Sequence, residues 1–289
     1  MQSIHVWSIF IRDTQIGITY QLPQKWCISR ADPFIFNFND ETFLIFEEFN
    51  IFRRHGYIVS GRLCDQRNAL VETKVIHKAR YHSSFPTVLD AMNEDHMLLS
   101  LETEEAGALS LYELKHPFTS PRRIKSTLNQ KGVDPVYFKF QNMWYMFVSL
   151  YDECAKSYCN NLHIYYSKDL LNSPFQAHPL NPVKLGSHGS RMAGCISDSE
   201  GRLFRVGQDC VSHYGNNVVK WEILKLSPTE YEEVFIETIQ PERGFFARHT
   251  HNQTDTLLTY DQKKVSNDFR VMLFLLLSIP IRIVKRLKS

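Results

Sequence analysis

Two acidic residues recur at one register of this chain, and they are the first groups in it that suggest chemistry. Asp32 and Asp134 open the similar segments ADPFIF and VDPVYF, each Asp followed by Pro and then by apolar and aromatic residues. A carboxylate held in place can take a proton from a hydroxyl or bind one, which is what sugar chemistry asks of a protein. Asp-Pro also starts turns for purely structural reasons, and its repetition at one register weighs against that reading. Glu47, Glu48, Glu102 and Asp209 fall near the ends of the following apolar segments, where strand alternation turns one of each adjacent acidic pair inward. Glu102 and Asp209 join Asp32 and Asp134 as candidate acids and bases, and Glu48 is assigned to substrate.

Basic groups fall in the same parts of the sequence: His82, Arg191, Arg248, His249 and His251. Arg matches phosphate oxygens in a bidentate fashion while carboxylates bind hydroxyls, so the combined set suits a sugar that bears phosphate. There is no Gly-rich phosphate loop, nucleophile elbow or metal-binding helix motif. The six cysteines contain no C-x-x-C pair, and Cys154, Cys159 and His163 lack a fourth ligand at zinc-site spacing. Neither a metal nor a cofactor is expected, and the cysteines read as reduced thiols of a cytosolic protein.

The elements that must position these groups are short strands. A pair of strands, the first closed by a turn and the second rich in aromatic or branched residues, occurs five times. The copies start near Asp32, Pro86, Asp134, Ala193 and Thr250, at steps of 48 to 59 residues. That spacing leaves room for about four strands per unit, the size of a propeller blade. Turn-forming residues such as Asn39-Asp40 and Gln141-Asn142 sit between the paired strands. The expected fold is an all-β, five-bladed β-propeller over residues 1–264, with Phe36, Phe46, Phe138, Tyr145, Phe147 and Phe204 between blades. His5 to Ile11 belongs to no blade of its own and is expected to close the ring on the last one, which removes an exposed edge. The innermost strands of a propeller line its channel, so Asp32 and Asp134 are expected to point into a shared cavity.

The chain has 289 residues, 33 Lys+Arg against 31 Asp+Glu, and 43% hydrophobic residues, the composition of an ordinary globular protein. Residues 261–289 carry a net charge of +5 and the body −3, so the body has no nucleic-acid footprint. The apolar run Val271 to Ile281 is eleven residues, short of the roughly 20 that span a bilayer. It is flanked by Arg270, Arg282, Lys285, Arg286 and Lys288, a pattern expected of a short amphipathic helix over residues 265–289 lying on an anionic membrane surface. The N-terminus lacks the basic and apolar regions of a signal peptide. Together these features lead us to expect a cytoplasmic protein, peripheral on the inner face of the membrane.

The segments ADPFIFNFNDETFLIFEEF, YHSSFP, VDPVYFKFQNMWYMFVS, HPLNPV, SRMAG, GQDC and ARHTHN, in this order, resemble one known family. It is the five-bladed propeller at the N-terminal end of glucosamine inositolphosphorylceramide transferases, with its stand-alone relatives among surface-polysaccharide genes. More remotely, the D-P-x-x-F starts resemble glycoside hydrolase family 43. That likeness implies a general base at Asp32 and an orienting, pKa-tuning Asp at Asp134, but the blade-four segment SRMAG has no Glu where the acid should stand. An inverting hydrolase without its acid leaves a poor leaving group unassisted. A phosphate-activated donor needs cationic stabilisation instead, which Arg191 and the blade-five Arg/His cluster would supply. The resemblance therefore implies a glycosyltransferase of surface-glycan biosynthesis, moving sugar from a nucleotide sugar or other sugar phosphate to a glycan or lipid-linked acceptor. A hydrolase with Asp32 as base and Glu102 or Asp209 as acid, and a non-catalytic glycan-binding propeller, are the alternatives.

Overall fold

The computed structural model describes residues 5–265 apart from 65, 94, 117 and 119. The tail beyond Val265, where the sequence suggests an amphipathic helix, lies outside the described residues. Strands β1 (His5–Asp13) and β2 (Thr19–Gln21) precede the first complete blade, built from β3 (Ile28–Phe38), β4 (Glu41–Asn50), β5 (His55–Leu63) and β6 (Leu70–His77). Blade two is β7 (Ser84–Asn93), β8 (His96–Glu102), β9 (Leu109–Lys115) and β10 (Arg122–Leu128). Blade three is β11 (Gly132–Phe140), β12 (Met143–Leu150), β13 (Asn161–Ser167) and the two-residue strands β14 (Gln176–Ala177) and β15 (Lys184–Leu185). Blade four is β16 (His188–Met192), β17 (Ser197–Ser199), β18 (Arg202–Asp209), β19 (Asn217–Leu226) and β20 (Tyr231–Ile239); β21 (His251–Gln253) and β22 (Leu257–Val265) begin the fifth.

The fifth blade is completed from the other end of the chain. Its sheet order is β2-β1-β22-β21, with β1 antiparallel to β22 from His5↔Val265 to Asp13↔Leu257. This is the closure expected for His5 to Ile11, and it leaves no open seam between first and last blades. The ring is a five-bladed all-β propeller. Among the described residues no helix is long and apolar enough to cross a membrane.

Blades pack through aromatic and branched side chains facing each other across the sheets. Phe34 meets Phe85 of the next blade edge to face at 5.0 Å, and Phe36, Phe46, Tyr145 and Phe147 are buried. Phe138 is only partly buried against this core, and Phe204 is half-buried beneath Arg202 and Lys220, where it lines a pocket with His251 and Gln253 of blade five.

One irregularity recurs, and it positions the site. Ala31 faces Glu47 and Phe34 faces Ile45, so three steps on β3 match two on β4, a β-bulge. Ser84/Thr87 against Glu102/Ser100 and Val133/Val136 against Ser149/Phe147 repeat it, and β16 has a similar shift between His188 and Arg191. The residues entering these bulges are Asp32 (φ 52), Phe85 (φ 44), Asp134 (φ 49) and Gly189 (φ 76), all left-handed. The equivalent positions are thus 32, 85, 134 and 189. Asp32 and Asp134 share a register as the sequence suggests, while Pro86 and Ala193 are displaced from it. Left-handed φ at a non-glycine residue costs about 1–3 kcal/mol and recurs at functional sites.

Candidate functional site at the channel mouth

A cavity of about 330 Å³ opens at the end of the channel where the inner strands begin, and its walls include Trp7, Asp32, Glu47, His82, Glu102, Arg191, Tyr214, His249 and Lys263. Asp32 is buried on its floor. Its Oδ2 accepts the Phe85 N–H (3.1 Å), and its Oδ1 lies 3.6 Å from His249 Nε2. The other ring nitrogen of His249 meets Asp261 Oδ1 at 2.8 Å, and Trp7 stacks on the imidazole at 3.8 Å. Asp261 also accepts the N–H groups of Asp32, His249 and Thr250, at 2.9, 3.2 and 3.1 Å.

These partners push the acids apart. Burial, with the nearby charges of Asp261 and Asp134 and against that of His249, raises Asp32 to about 7. Burial opposes the charge of Asp261 too, but His249 and the convergent N–H groups hold it below the usual carboxylate range. His249 is raised above an ordinary imidazole, since Asp261 and Asp32 outweigh the cost of its burial. Glu47 rises well above its ordinary value through burial and the charges of Asp32 and Glu102. Its Oε1 has no hydrogen-bond partner, and the nearest basic side chain, His82 with Nε2 at 3.5 Å, is itself pushed below the ordinary imidazole range by burial.

The second Asp of the repeat is differently occupied. Arg191 grips Asp134 with Nε (2.6 Å) and Nη2 (3.2 Å) and reaches Glu102 at 3.4 Å; the Gln208 amide donates to Asp134 at 2.6 Å. Glu102 in turn accepts the Asp134 N–H at 3.1 Å. Burial and Glu102 raise Asp134 while Arg191 opposes them. Burial acts against the Arg191 charge, but Asp134, Tyr214 and Glu102 keep it well above the ordinary guanidinium range. Its face lies 5.1 Å from the Tyr214 ring centre, so this cation is paired with two carboxylates and covered by an aromatic ring.

Of the residues singled out in the sequence, the structure brings Asp32, Asp134, Glu47, Glu102, His82, Arg191 and His249 together. It does not bring the others to the cavity. Glu48 points to the far side of β4, where Arg30 (2.9 Å) and Lys25 (2.8 Å) hold it below its usual range despite partial burial. Asp209 is taken up by the side chains of His188 and Asn217. Arg248 packs its guanidinium 3.9 Å from the Tyr260 ring centre and meets His251 Nδ1 at 3.0 Å; burial and Arg248 push His251 down to about 3. The cysteines are free thiols in the structure. Among the described residues, the acidic and imidazole atoms close enough to hold a metal ion are those of Asp32, His249 and Asp261, within 4.8 Å of one another. Asp261 is already saturated by N–H donors, so the group reads as a hydrogen-bonded acid, base and orienting set.

The fold and this site define a class: a five-bladed propeller with a carboxylate-lined channel mouth. The chain belongs to the family described as glucosamine inositolphosphorylceramide transferase 1, N-terminal, whose model matches residues 24–265. It is 30% identical over 207 residues to glucosamine inositolphosphorylceramide transferase 1 of Oryza sativa subsp. japonica, covering 71% of this chain and 27% of the relative. The same protein of Arabidopsis thaliana is 29% identical over 206 residues, covering 71% and 26%. The chain thus spans about a quarter of the length of these relatives. Solved structures share the fold at low identity. A family 117 glycoside hydrolase of Zobellia galactanivorans gives a TM-score of 0.54 at 11% identity, covering 84% of this chain and 86% of the other. A family 43 β-xylosidase/α-arabinofuranosidase from a compost metagenome gives 0.54 at 13%, covering 83% and 91%.

Proposed function

We propose that this propeller transfers a sugar from a phosphate-activated donor to a glycan or lipid-linked acceptor in surface-glycan biosynthesis, with Asp32 as general base. The observation that carries this reading is Asp32 itself, a buried carboxylate on a cavity wall, poised near 7 and aimed by one backbone N–H and the His249–Asp261 pair. A base with that pKa takes a proton readily near neutral pH. In the reaction Asp32 accepts the acceptor hydroxyl proton, the freed oxygen bonds to the anomeric carbon, and the bond to phosphate breaks with its electron pair on phosphate. The relatives' name couples an amino sugar to a phosphorylated ceramide, and a carboxylate-lined cavity suits a sugar rich in hydroxyl or amine donors. Arg191 is spent on Asp134 and Glu102, so its part in this reading is to position Asp134 beside the base.

A second reading, glycoside hydrolysis, is favoured by Glu47. Its raised pKa keeps it protonated beside Asp32, an acid supplied by blade one where blade four has none. Purified protein incubated with nucleotide sugars and a lipid-linked acceptor, then with simple glycosides, separates the readings. Asp32→Asn keeps shape and should lower transfer by about 10²–10⁴-fold while donor binding persists. Release of free sugar from glycosides without an activated donor would instead support the hydrolase. Affinity with no turnover under any condition would leave a glycan-binding module, and undiminished transfer by Asp32→Asn would remove Asp32 as the base.

A further inference from the structure

If a phosphate-bearing ligand enters this cavity, Arg191 is not free to meet it. The neighbouring fifth blade offers another cation. Lys263, on β22, lines the cavity with its ammonium 5.2 Å from the Trp7 ring centre and 5.8 Å from that of Phe246. Among the described residues Lys263 forms no ion pair with a carboxylate, and burial lowers its pKa with no acid raising it again. His5, also on the cavity wall, packs edge-on against Phe246 at 4.8 Å, and His213 lies 5.9 Å from the same ring. Burial, Lys263 and His213 all depress His5. A partly desolvated ammonium with two imidazoles beside it, gathered round one aromatic ring at the edge of an acidic cavity, is a place where an incoming anion finds a cation and N–H donors.

We propose that Lys263, with His5 and His213, forms a phosphate subsite at the rim of the cavity. The indole of Trp7 is the shared neighbour of Lys263 on one side and of His249 on the other. Phosphate held by Lys263 therefore leaves the attached sugar or headgroup to extend past Trp7 toward His249 and Asp32. The ligand is a phosphate monoester or diester, and its source is either the sugar donor or the headgroup of a phospholipid acceptor. The subsite deepens the transferase reading, and its assignment of phosphate to this wall rests on that reading.

Titration of the full chain with UDP-N-acetylglucosamine, and separately with phosphatidylinositol vesicles, tests it. Lys263→Gln should weaken whichever ligand binds by roughly 10–100-fold, the loss of one charge-assisted contact, and Lys263→Arg should largely restore it. Lys264→Gln is the control, because alternation turns Lys264 to the other face of β22, near Phe245. Weakening confined to the nucleotide sugar assigns the subsite to the donor, and weakening confined to vesicles assigns it to the lipid. Equal binding by Lys263→Gln and the native chain, or an equal loss in Lys264→Gln, would overturn the proposal. The two readings separate cleanly: phosphate binding through Lys263 without sugar transfer keeps the subsite and removes the transferase, whereas transfer that ignores Lys263→Gln does the reverse.

Discussion

Glu47 shows how far a single residue's neighbourhood decides its chemistry. The sequence offers Glu47 and Glu48 side by side, and alternation says that one of them faces inward without saying which. The pairing of Ala31 with Glu47 at the start of the bulge decides it, sending Glu47 to the cavity and Glu48 to Arg30 and Lys25. The two then titrate in opposite directions from one burial cost, because only Glu48 finds cations. The raised pKa of Glu47 carries a definite sign. Above the ordinary carboxylate range the unfolded chain has lost this proton while the folded one keeps it, so the folded state binds more protons and stability falls as pH rises. Glu47→Gln removes that liability. The variant's melting temperature should exceed the native value by a margin that grows between pH 5 and pH 8, in thermal denaturation followed by circular dichroism. A margin that shrinks toward pH 8 would mean that Glu47 is ionised and paired in the fold.

At the scale of elements, the bulge on the inner strands is the device that turns a repeated strand pair into a site. It lifts one residue out of register in each of the first four blades, and Asp32 and Asp134 are legible in the sequence because the Asp-Pro pair marks that residue twice. Blades two and four use Phe85 and Gly189 in the same place, so a search for acids alone misreads their register. Asp261, which meets His249 within blade five, carries no motif, and Trp7 is harder still to see, because it reaches His249 and Lys263 only when β1 zips onto β22 from the far end of the chain. Gly189 offers a direct test of the bulge. Its φ of 76 is left-handed, a Cβ there would sit 2.5 Å from Trp221 Nε1, and its carbonyl accepts Arg205 Nη1 at 2.7 Å. Gly189→Ala should therefore destabilise the fold by about 2–4 kcal/mol, combining backbone strain with overpacking. Urea denaturation measures it, and a change within about 0.5 kcal/mol, the range of an inert surface substitution, would show that blade four tolerates an ordinary strand there.

For the whole molecule, the ring closure fixes where the described chain ends. β22 runs toward the channel mouth and is last described at Val265, which pairs with His5, itself a wall of the cavity. Residues 266–289 follow Val265 in the sequence, and they contain the uncharged run Val271 to Ile281 with Arg270, Arg282, Lys285, Arg286 and Lys288 around it. A segment of this kind gains from apolar insertion and from attraction to anionic lipid, at about 1 kcal/mol per basic residue near the surface. Attachment there would turn the channel mouth toward the bilayer, where a lipid-linked acceptor reaches Asp32 with little of its chain leaving the membrane. Removing residues 266–289 should then abolish co-sedimentation with phosphatidylserine vesicles while leaving the melting temperature of the propeller unchanged. Binding by the full chain should fall as salt rises, since the Debye length shrinks from about 10 Å at 0.1 M to about 3 Å at 1 M. If the truncated chain binds vesicles as well as the full one but melts earlier, the apolar run serves the propeller's own packing, and the mouth owes its orientation to something other than the tail.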